Sequence, residues 1–350
     1  MPQKFNALFD ILNHGFDTVI DVRSPAEFAI DHVPGAINLP ALSNDERARV
    51  GTIYKQVSPF KARKVGAQLV LNNVAKHIAG PLSDHDGGWR PLVYCWRGGQ
   101  RSGVFAMILR EIGWRADTIA GGYQSFRGCV HDTLYETPLP HRLILLDGDT
   151  GTAKTALLPR LAARGIQTLD LEGMAGHRGS LLGAMPGGQP EQRGFETALA
   201  AAFAGLDPTR PTIIEAESNK IGNRILPPSL WAAMIKAPRI TLNIAMPARV
   251  AYLASAYADV LRDPDTVRTR LAGLRRLRGH ATVDRWQALQ DTGDYAGLAK
   301  ALMVDHYDPA YAKSRACEVR DILTEISSDA LDEDGLNRLA DQITNQVNSL

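Results

Sequence analysis

A group of residues whose types and spacing suggest nucleophilic chemistry surrounds Cys95, in the segment Cys-Trp-Arg-Gly-Gly-Gln-Arg-Ser. The apolar run PLVYC (91–95) predicts a buried strand ending at this cysteine, and ligand sites in open α/β sheets lie at the carboxyl ends of strands. The two glycines let the backbone curl so that amide N–H groups form an anion-binding nest. Arg97 and Arg101 add positive charge, which favours the thiolate. The loop therefore predicts a reactive thiol that can hold an oxyanion.

The other cysteines, Cys129 and Cys317, have no such surroundings. A free cysteine is often simply a small buried apolar side chain, and we interpret these two in that way. Three cysteines in 350 residues do not form a disulfide framework, so the chain is expected in a reducing compartment with at most one reactive thiol.

A second group of residues, GDTGTAKT (148–155), lies between the apolar run RLILLD (142–147) and a predicted helix. This is the context that a phosphate-binding loop requires. Backbone amides of such a loop cradle a diphosphate, Lys154 neutralises it, and the Thr155 hydroxyl is a candidate ligand for Mg²⁺. The predicted phosphate-binding residues are Gly148, Thr150, Gly151, Lys154 and Thr155.

Ala153 departs from the usual loop motif, in which glycine precedes the lysine. Its methyl group would crowd the phosphate, or would be tolerated if the residue is not at positive φ. We therefore expect phosphate binding at this loop, whereas nucleotide hydrolysis is in doubt and the binding of ATP is left open.

Further candidate residues follow the strand predicted at PTIIEAE (211–217). Glu215 and Glu217 would supply a Walker-B-like carboxylate near the loop, or are surface charges at a strand end. His177 and Arg178 are candidates for the active-site lining, although a lone histidine is more often a structural hydrogen-bonding residue. No Cys/His spacing suggests a set of metal ligands.

Strands and helices alternate along the chain, which predicts parallel α/β sheets. The predicted strands are 18–22, 91–95, 117–122, 142–147, 211–217 and 240–246. A helix is predicted near Pro25, a linker at 131–141 and a mainly helical region from Ala248 onward. We therefore predict an α/β protein of two domains, residues 1–135 with a parallel sheet and flanking helices, and residues 136–350 with a phosphate-binding loop and a helical tail.

The bulk composition is that of an ordinary globular protein, with 45% hydrophobic residues and a net charge of +1. So small a net charge gives no global basic field, so a nucleic-acid partner must be recognised by local charge. The amino terminus lacks the pattern of a signal peptide, and no apolar run approaches the roughly 20 residues needed to cross a bilayer. We expect a soluble cytoplasmic protein without a membrane partner.

Three segments of the first predicted domain resemble the rhodanese family: IDVRSPAEFAIDHVPGAINLP (20–40), the loop from Cys95 to Arg101, and GGYQSFR (121–127). The resemblance implies that Cys95 carries a persulfide and that Asp21 occupies an acidic position that helps to order the site. Asp21, Arg23 and Glu27 are also candidates for a buried salt-bridge network, which we prefer to a direct chemical role.

Further segments resemble the carboxyl-terminal half of the tRNA 2-selenouridine synthase family. They are DLEGMAGHRGSLLG (170–183), QPEQRGFETAL (189–199), EAESNKIG (215–222) and HYDPAY (306–311). A rhodanese-like loop joined to these segments is a specific combination. The chain departs from the usual pattern at Ala153, at Gly176 and at Glu191.

This resemblance implies a reaction on the wobble 2-thiouridine of tRNAs for lysine, glutamate and glutamine. Its sulfur would be alkylated with geranyl diphosphate and then displaced by selenium from selenophosphate. No tightly bound cofactor is implied, and the enzyme that makes selenophosphate is a candidate partner. Cys95 would carry a perselenide or position selenophosphate, and Lys154 would hold the diphosphate of the geranyl donor.

Local charge suggests one place for tRNA. Residues 262–285 contain seven arginines and three aspartates, a local net charge of +4. Helical spacing of the apolar residues leaves Arg268, Arg275 and Arg276 off the apolar face, where they could contact phosphates. The alternative is a solvated helix face.

Two other functions are compatible with parts of the sequence. A simple sulfurtransferase with a regulatory second domain would need only residues 1–135. A non-catalytic RNA-binding protein with a decayed phosphate-binding loop would be consistent with Ala153, although the intact loop at Cys95 opposes it. The oligomeric state and the domain responsible for each step are left open.

Overall fold

The computed structural model describes residues 2–316 and 321–350. Cys317 therefore lies outside the described residues. The chain divides into two compact units, Met1–Pro138 with Pro190–Gly205, and Leu139–Gln189 with Leu206–Leu350.

The first unit is built on a parallel sheet. Its strands are β1 (Thr18–Asp21), β2 (Ile37–Asn38), β3 (Pro91–Tyr94) and β4 (Asp117–Thr118), in the order β2-β1-β3-β4. The helices of its longer segment are α1 (Leu8–Leu12), α2 (Pro25–Ile30), α3 (Asn44–Gln56), α4 (Pro59–Ala79), α5 (Gln100–Ile112) and α6 (Gly122–His131).

Local sequence explains how these elements begin and pack. Ser24 and Glu27 form a capping box and Pro25 occupies the first turn of α2, which confirms the helix predicted near this proline. Ile20 and Val93 on neighbouring strands are fully buried in one apolar core with Phe105 of α5. The core thus fixes the strand whose carboxyl end carries Cys95.

The second unit contains a larger parallel sheet and a short antiparallel ribbon. The sheet strands are β5 (Arg142–Gly148), β6 (Gln167–Leu169), β7 (Pro211–Glu215), β10 (Arg239–Ile244) and β11 (Ile322–Ser328), and β8 (Lys220–Ile221) pairs with β9 (Arg224–Ile225) in the ribbon. The strand order is β11-β10-β5-β7-β6. Strand β5 is central, and the chain crosses from one side of it to the other after β7. The carboxyl end of β5 therefore lies at a topological switch point, where such sheets bind ligands.

The remaining helices follow in chain order: α7 (Lys154–Ala162), α8 (Leu171–Ala175), α9 (Gln192–Ala204), α10 (Pro228–Lys236), α11 (Met246–Ala256), α12 (Pro264–Ala272), α13 (Arg275–Arg278), α14 (His280–Asp291), α15 (Tyr295–Leu302), α16 (Asp308–Ala316) and α17 (Glu333–Asn348). Helices α12, α14 and α15 enclose a small apolar core around the fully buried Trp286. Among the described residues, no helix is both long enough and apolar enough to span a bilayer.

The two-domain α/β architecture agrees with the sequence prediction, but three details differ. Residues 131–141 are not a simple linker, because α6 runs to His131 and a π-helical turn continues to Glu136 around the buried Leu134. The mainly helical region after Ala248 also contains a strand that was not predicted, because β11 adds an edge strand beside β10. Helix α9, predicted within the second domain, groups with the first unit.

Gly122 determines how closely α6 approaches the segment after β3. Its φ is +58°, and a Cβ atom there would lie 2.4 Å from the carbonyl oxygen of Cys95. The next two residues donate backbone hydrogen bonds to this segment, Tyr123 to the Cys95 oxygen at 2.8 Å and Gln124 to the Trp96 oxygen at 3.0 Å. The segment resembling the rhodanese closing motif thus holds the thiol loop in place.

We predict that Gly122→Ala lowers the free energy of unfolding of the first unit by about 2–4 kcal/mol, because a methyl group must displace the Cys95 carbonyl at an unfavourable φ. Urea unfolding monitored by circular dichroism measures the change. Gly128→Ala is the matched control, because it lies in the same helix with open space at the Cβ position. It should stay within about 1 kcal/mol of wild type. Equal midpoints for the two variants would contradict the prediction.

Candidate active site

Cys95 lies directly after β3 and is buried, with 3% of its surface exposed. The Ser102 hydroxyl donates a hydrogen bond to its sulfur at 3.3 Å. Gly99 adopts φ +73° and forms the N-cap of α5, so the loop curls into a helix N-terminus as its glycines suggested. Such a terminus favours bound anions.

The two arginines of the thiol loop have different environments. Arg101 donates to Glu27 at 3.2 Å, and Glu27 also accepts from Arg47 at 2.8 Å. Although burial opposes ionisation, Arg47 and Arg101 lower the pKa of Glu27 to about 2. Arg97 is exposed and makes no ion pair within the described parts of the chain. Arg97 is therefore the available cation at this loop, and Arg101 orders it.

Asp21 belongs to a buried ion pair. Its carboxylate accepts two hydrogen bonds from the Arg23 guanidinium, the shorter at 2.6 Å, and both side chains are buried. The guanidinium also lies 3.9 Å from the centre of the Tyr123 ring. The buried network preferred for Asp21 and Arg23 is thus present, but Glu27 pairs with other arginines instead.

The phosphate-binding loop connects β5 to α7. The Lys154 ammonium donates to the Gly148 carbonyl at 2.8 Å, and the Thr155 hydroxyl donates to Glu172 at 2.7 Å. Arg249 of α11 stabilises the loop. Its side chain is 4% exposed and donates a hydrogen bond to the Thr150 carbonyl at 2.9 Å. The guanidinium of Arg249 also binds Asp308, with a shortest distance of 2.6 Å.

Ala153 is in the left-handed conformation, with φ +60° and ψ +27°. Among the described residues it is the single non-glycine residue at positive φ. The condition under which alanine would be tolerated without strain is therefore not met. The loop keeps the backbone shape that its usual glycine would adopt, at a cost of about 1–2 kcal/mol.

A cavity of about 820 Å³ opens at this loop. Residues from three distant segments line it together with the loop itself: Glu172, Arg178, Gly179, Ser180, Glu217, Tyr307 and Tyr311. They come from the stretches 170–183, 215–222 and 306–311 and the loop 148–155, so the cavity brings together segments that the sequence separates.

Glu172 and Glu217 form a hydrogen-bonded carboxyl pair in this cavity. Burial and the adjacent charge of Glu172 raise the pKa of Glu217 to about 8, and burial also raises the pKa of Glu172. At neutral pH the pair therefore shares one proton. Gly179 permits this packing, because a Cβ atom there would lie 2.8 Å from Glu217 and 2.9 Å from Glu172.

Lys154 keeps its charge beside this pair. Burial disfavours the ammonium, but Tyr311, Glu217 and Glu172 outweigh that effect and raise its pKa. The Tyr311 ring centre lies 5.8 Å from the Lys154 nitrogen. The site therefore combines a cation, a shared proton and the backbone amides of a loop that leads into the N-terminus of α7.

Comparison with known proteins matches both units. The family described as rhodanese-like domain matches residues 2–129, and the family described as tRNA 2-selenouridine synthase AAA domain matches residues 141–268. The tRNA 2-selenouridine synthases of Hahella chejuensis and Chromohalobacter salexigens are each 34% identical to this chain, over 84% of it and over 84% and 86% of their own lengths. That of Bordetella bronchiseptica is 32% identical over 92% of this chain and 93% of its own length.

The chain belongs to the tRNA 2-selenouridine synthase family. Within this family member, Glu172 is a cavity residue that the sequence reasoning missed. The sequence signal for this residue is the LEG triplet (171–173), an acidic residue directly after β6. Tyr311 and Arg249 were missed as well, because their roles depend on contacts far away in the sequence.

Two candidates lie apart from the cavity lining. Glu215 is fully buried and accepts a hydrogen bond from the Leu171 backbone at 2.8 Å, so it positions the start of α8. His177 pairs in a β-bridge with Ala184 and is not part of the lining, and burial lowers its pKa. Arg178 does line the cavity, where it pairs with Asp259 at 2.8 Å.

A second, apolar cavity of about 50 Å³ adjoins the first. Its wall includes Leu182, Leu261, Leu298 and Leu302. The two cavities share lining residues, which are Thr150, Ser180, Leu253, Tyr257 and Tyr307. The polar cavity at the loop thus lies next to an apolar recess.

The arginines of residues 262–285 are largely engaged within the fold. Arg268 pairs with Asp291, and Arg275 donates to Asp284 at 2.6 Å. Other members bind protein oxygens or nitrogens as well: Arg270 to Leu181, Arg278 to His306 and Arg285 to Asp305. Arg276 is exposed. The positive charge available to a phosphate is therefore smaller than the local composition suggested.

We predict that Glu217→Gln makes stability less dependent on pH. The folded-state pKa of Glu217, about 8, lies above its ordinary value, so its stabilising contribution is complete below about pH 4.5 and declines as pH rises toward 8. Glutamine preserves the hydrogen bond to Glu172 without titrating. Urea unfolding at pH 5, 6, 7 and 8 should show wild type losing stability relative to the variant. Parallel curves would contradict the assignment.

We predict that Ala153→Gly stabilises the second unit by about 0.5–1 kcal/mol, because relief of the left-handed strain exceeds the entropy that glycine adds to the unfolded chain. Ala156→Gly is the control, because the same change inside α7 should destabilise by about 1 kcal/mol. The midpoints of urea unfolding measure the change in stability of both variants. A loss of stability in Ala153→Gly would show that the loop does not strain this residue.

Proposed function

We propose that this protein replaces the sulfur of wobble 2-thiouridine in tRNA by selenium from selenophosphate, through an S-geranyl intermediate. Family membership across both units supports a tRNA-modifying transferase over a simple sulfurtransferase, which would need the first unit alone. The observation that carries the proposal is that the cavity at the phosphate-binding loop shares five lining residues with a neighbouring apolar recess.

Geranyl diphosphate has a charged diphosphate, which matches the polar loop, and an apolar prenyl chain, which matches the recess. The loop amides and Lys154 would hold the diphosphate, and the Thr155 hydroxyl with Glu172 would hold a Mg²⁺ ion that would neutralise the diphosphate charge. The apolar recess would take the prenyl chain, each buried methylene contributing about 0.8 kcal/mol. Leu298 and Leu302 of α15 would have to move outward for the full chain to enter.

The carboxyl pair would accept a proton in the first step of the reaction and return it in the second. In the first step the thiouridine sulfur attacks the geranyl carbon, the carbon–oxygen bond to diphosphate breaks, and the N3 proton is lost. The Glu172–Glu217 pair would accept that proton. In the second step selenium attacks C2, the carbon–sulfur bond breaks, and geranylthiol leaves with a proton that the pair returns. Water cleaves the selenium–phosphorus bond, releases phosphate and supplies the proton that returns to N3. A pKa near 8 suits a group that must act in both directions.

The thiol loop of the first unit would deliver selenium. Its curled backbone, helix N-terminus and Arg97 provide an anion site beside Cys95, where selenophosphate would bind. Cys95 would carry selenium as a perselenide or position selenophosphate for attack. The expected substrates are tRNAs for lysine, glutamate and glutamine in the cytoplasm, and the enzyme that makes selenophosphate is the expected partner.

Nucleoside mass spectrometry on 2-thiouridine tRNA supplied with geranyl diphosphate and selenophosphate tests the proposal. We expect wild type to form 2-selenouridine, Cys95→Ala to accumulate geranylthiouridine, and Lys154→Ala to slow geranylation by about 100-fold or more. Cys129→Ala and Lys236→Ala are matched controls outside both sites and should behave as wild type.

Each variant can overturn a separate part of the proposal. Unchanged 2-thiouridine with the wild-type protein would refute the synthase reaction. Normal geranylation by Lys154→Ala would refute the proposal that the diphosphate binds at the loop. Normal formation of 2-selenouridine by Cys95→Ala would refute the proposal that the Cys95 thiol delivers selenium.

A further inference from the structure

The segment from residue 47 to residue 83 contains no aspartate or glutamate. It contains seven cationic residues, which are Arg47, Arg49, Lys55, Lys61, Arg63, Lys64 and Lys76. The whole chain has a net charge of only +1, so this segment is a concentrated local charge. The net charge of this segment, +7, exceeds the net charge of +4 at residues 262–285.

Helices α3 and α4 form a hairpin within this segment. Helix α3 ends at Gln56 and α4 begins at Pro59, with Ser58 as its N-cap. The Ser58 side chain accepts a hydrogen bond from the Lys61 backbone at 3.4 Å. We call residues 54–64 the basic tip, because they form the closed end of this hairpin.

The basic tip exposes large apolar side chains as well as cations. Tyr54, Val57 and Phe60 are 54%, 61% and 67% exposed within seven consecutive residues. Clustered exposure of this kind marks an interaction surface more often than a chance arrangement. Aromatic rings beside cations are the combination that proteins use to bind unpaired nucleic-acid bases and their phosphates.

The cations of the basic tip are free to meet an external anion. Lys55, Lys61, Arg63 and Lys64 are exposed, and none of them makes a side-chain ion pair with any residue in 2–316 or 321–350. Arg268 and Arg275 of the second unit, by contrast, are paired with aspartates. Neutralised arginines release fewer counterions on binding, so the unpaired tip has the stronger attraction for phosphate.

The hairpin begins beside the thiol loop. Arg47 in the first turn of α3 donates to Glu27, which also binds Arg101 of that loop. Helix α3 has 13 residues and therefore extends about 20 Å from this point to the basic tip. A surface at that distance can hold one part of an RNA while another part reaches Cys95.

We propose that the basic tip binds the tRNA substrate, with Lys55, Lys61, Arg63 and Lys64 on phosphates and Tyr54 and Phe60 stacked on unpaired bases. The assignment rests on tRNA being the substrate of this family member and is independent of the selenium and geranyl chemistry. It places RNA recognition in the first unit, in addition to any contact made by the second.

The test measures the Kd of the full-length protein for a tRNA transcript by fluorescence anisotropy at several salt concentrations, without selenophosphate or geranyl diphosphate. The variant combining Lys55→Ala, Lys61→Ala and Lys64→Ala should bind about tenfold more weakly, and the slope of log Kd against log salt should fall by about 2–3. The control combining Lys4→Ala, Arg115→Ala and Lys236→Ala removes the same charge at other exposed positions and should match wild type.

Stacking is tested separately with Phe60→Ala, which should weaken binding by about fivefold or more. Phe9→Ala, at a ring that is 59% exposed elsewhere in the first unit, should leave Kd unchanged. Wild-type Kd and salt slope in the triple variant would overturn the proposal. So would loss of turnover with unchanged tRNA affinity, which would assign the tip to a protein partner. Binding is measured without selenophosphate and geranyl diphosphate, so failure of the proposed reaction would leave this result intact.

Discussion

The charge balance around Lys154 is the constraint on which the second unit depends. An ammonium group moved from water into a cavity wall costs several kcal/mol unless opposite charge surrounds it. Glu172 and Glu217 share the negative charge that meets the ammonium, and together with the adjacent Tyr311 they raise the pKa of the lysine despite burial. They come from three separate stretches of the chain, so the cavity can form only when those stretches are folded together. The shared proton on the carboxyl pair follows from the same balance, because one cation cannot keep two adjacent buried carboxylates fully ionised.

Both units solve the problem of holding an anion in a similar way. Each ends a buried parallel strand at a curled loop and starts a helix there, after Tyr94 in one unit and after Gly148 in the other. Each unit also has a buried arginine, Arg23 paired with Asp21 at the end of β1 and Arg249 bound to the Thr150 carbonyl of the phosphate-binding loop. These arginines meet carboxylates rather than substrate, which leaves Arg97 and Lys154 as the cations nearest to a bound anion.

Counts of charge along a sequence differ from the charge that a surface presents. Three of the seven arginines of residues 262–285 pair with aspartates, and two more bind Leu181 and His306, so most of them join parts of the helical region to one another. The basic tip has fewer cations, but no acidic residue lies nearby in sequence and none pairs with it among the described residues. Electrostatic attraction for RNA depends on the unpaired charge at the surface and not on the number of cationic residues in the sequence.

The sequence by itself determined the two α/β units, the thiol loop and the phosphate-binding loop. Each of these is encoded by contiguous residues: an apolar strand, glycines that permit a tight turn, and a helix start. The tertiary structure alone decided that Glu172 faces Glu217, that Ala153 is strained, that β11 joins the sheet edge, and that α9 groups with the first unit. Those features depend on contacts between residues far apart in the chain. Local patterns of polarity and turn chemistry carry no information about such contacts, because the same carboxylate or arginine can face water or a distant partner.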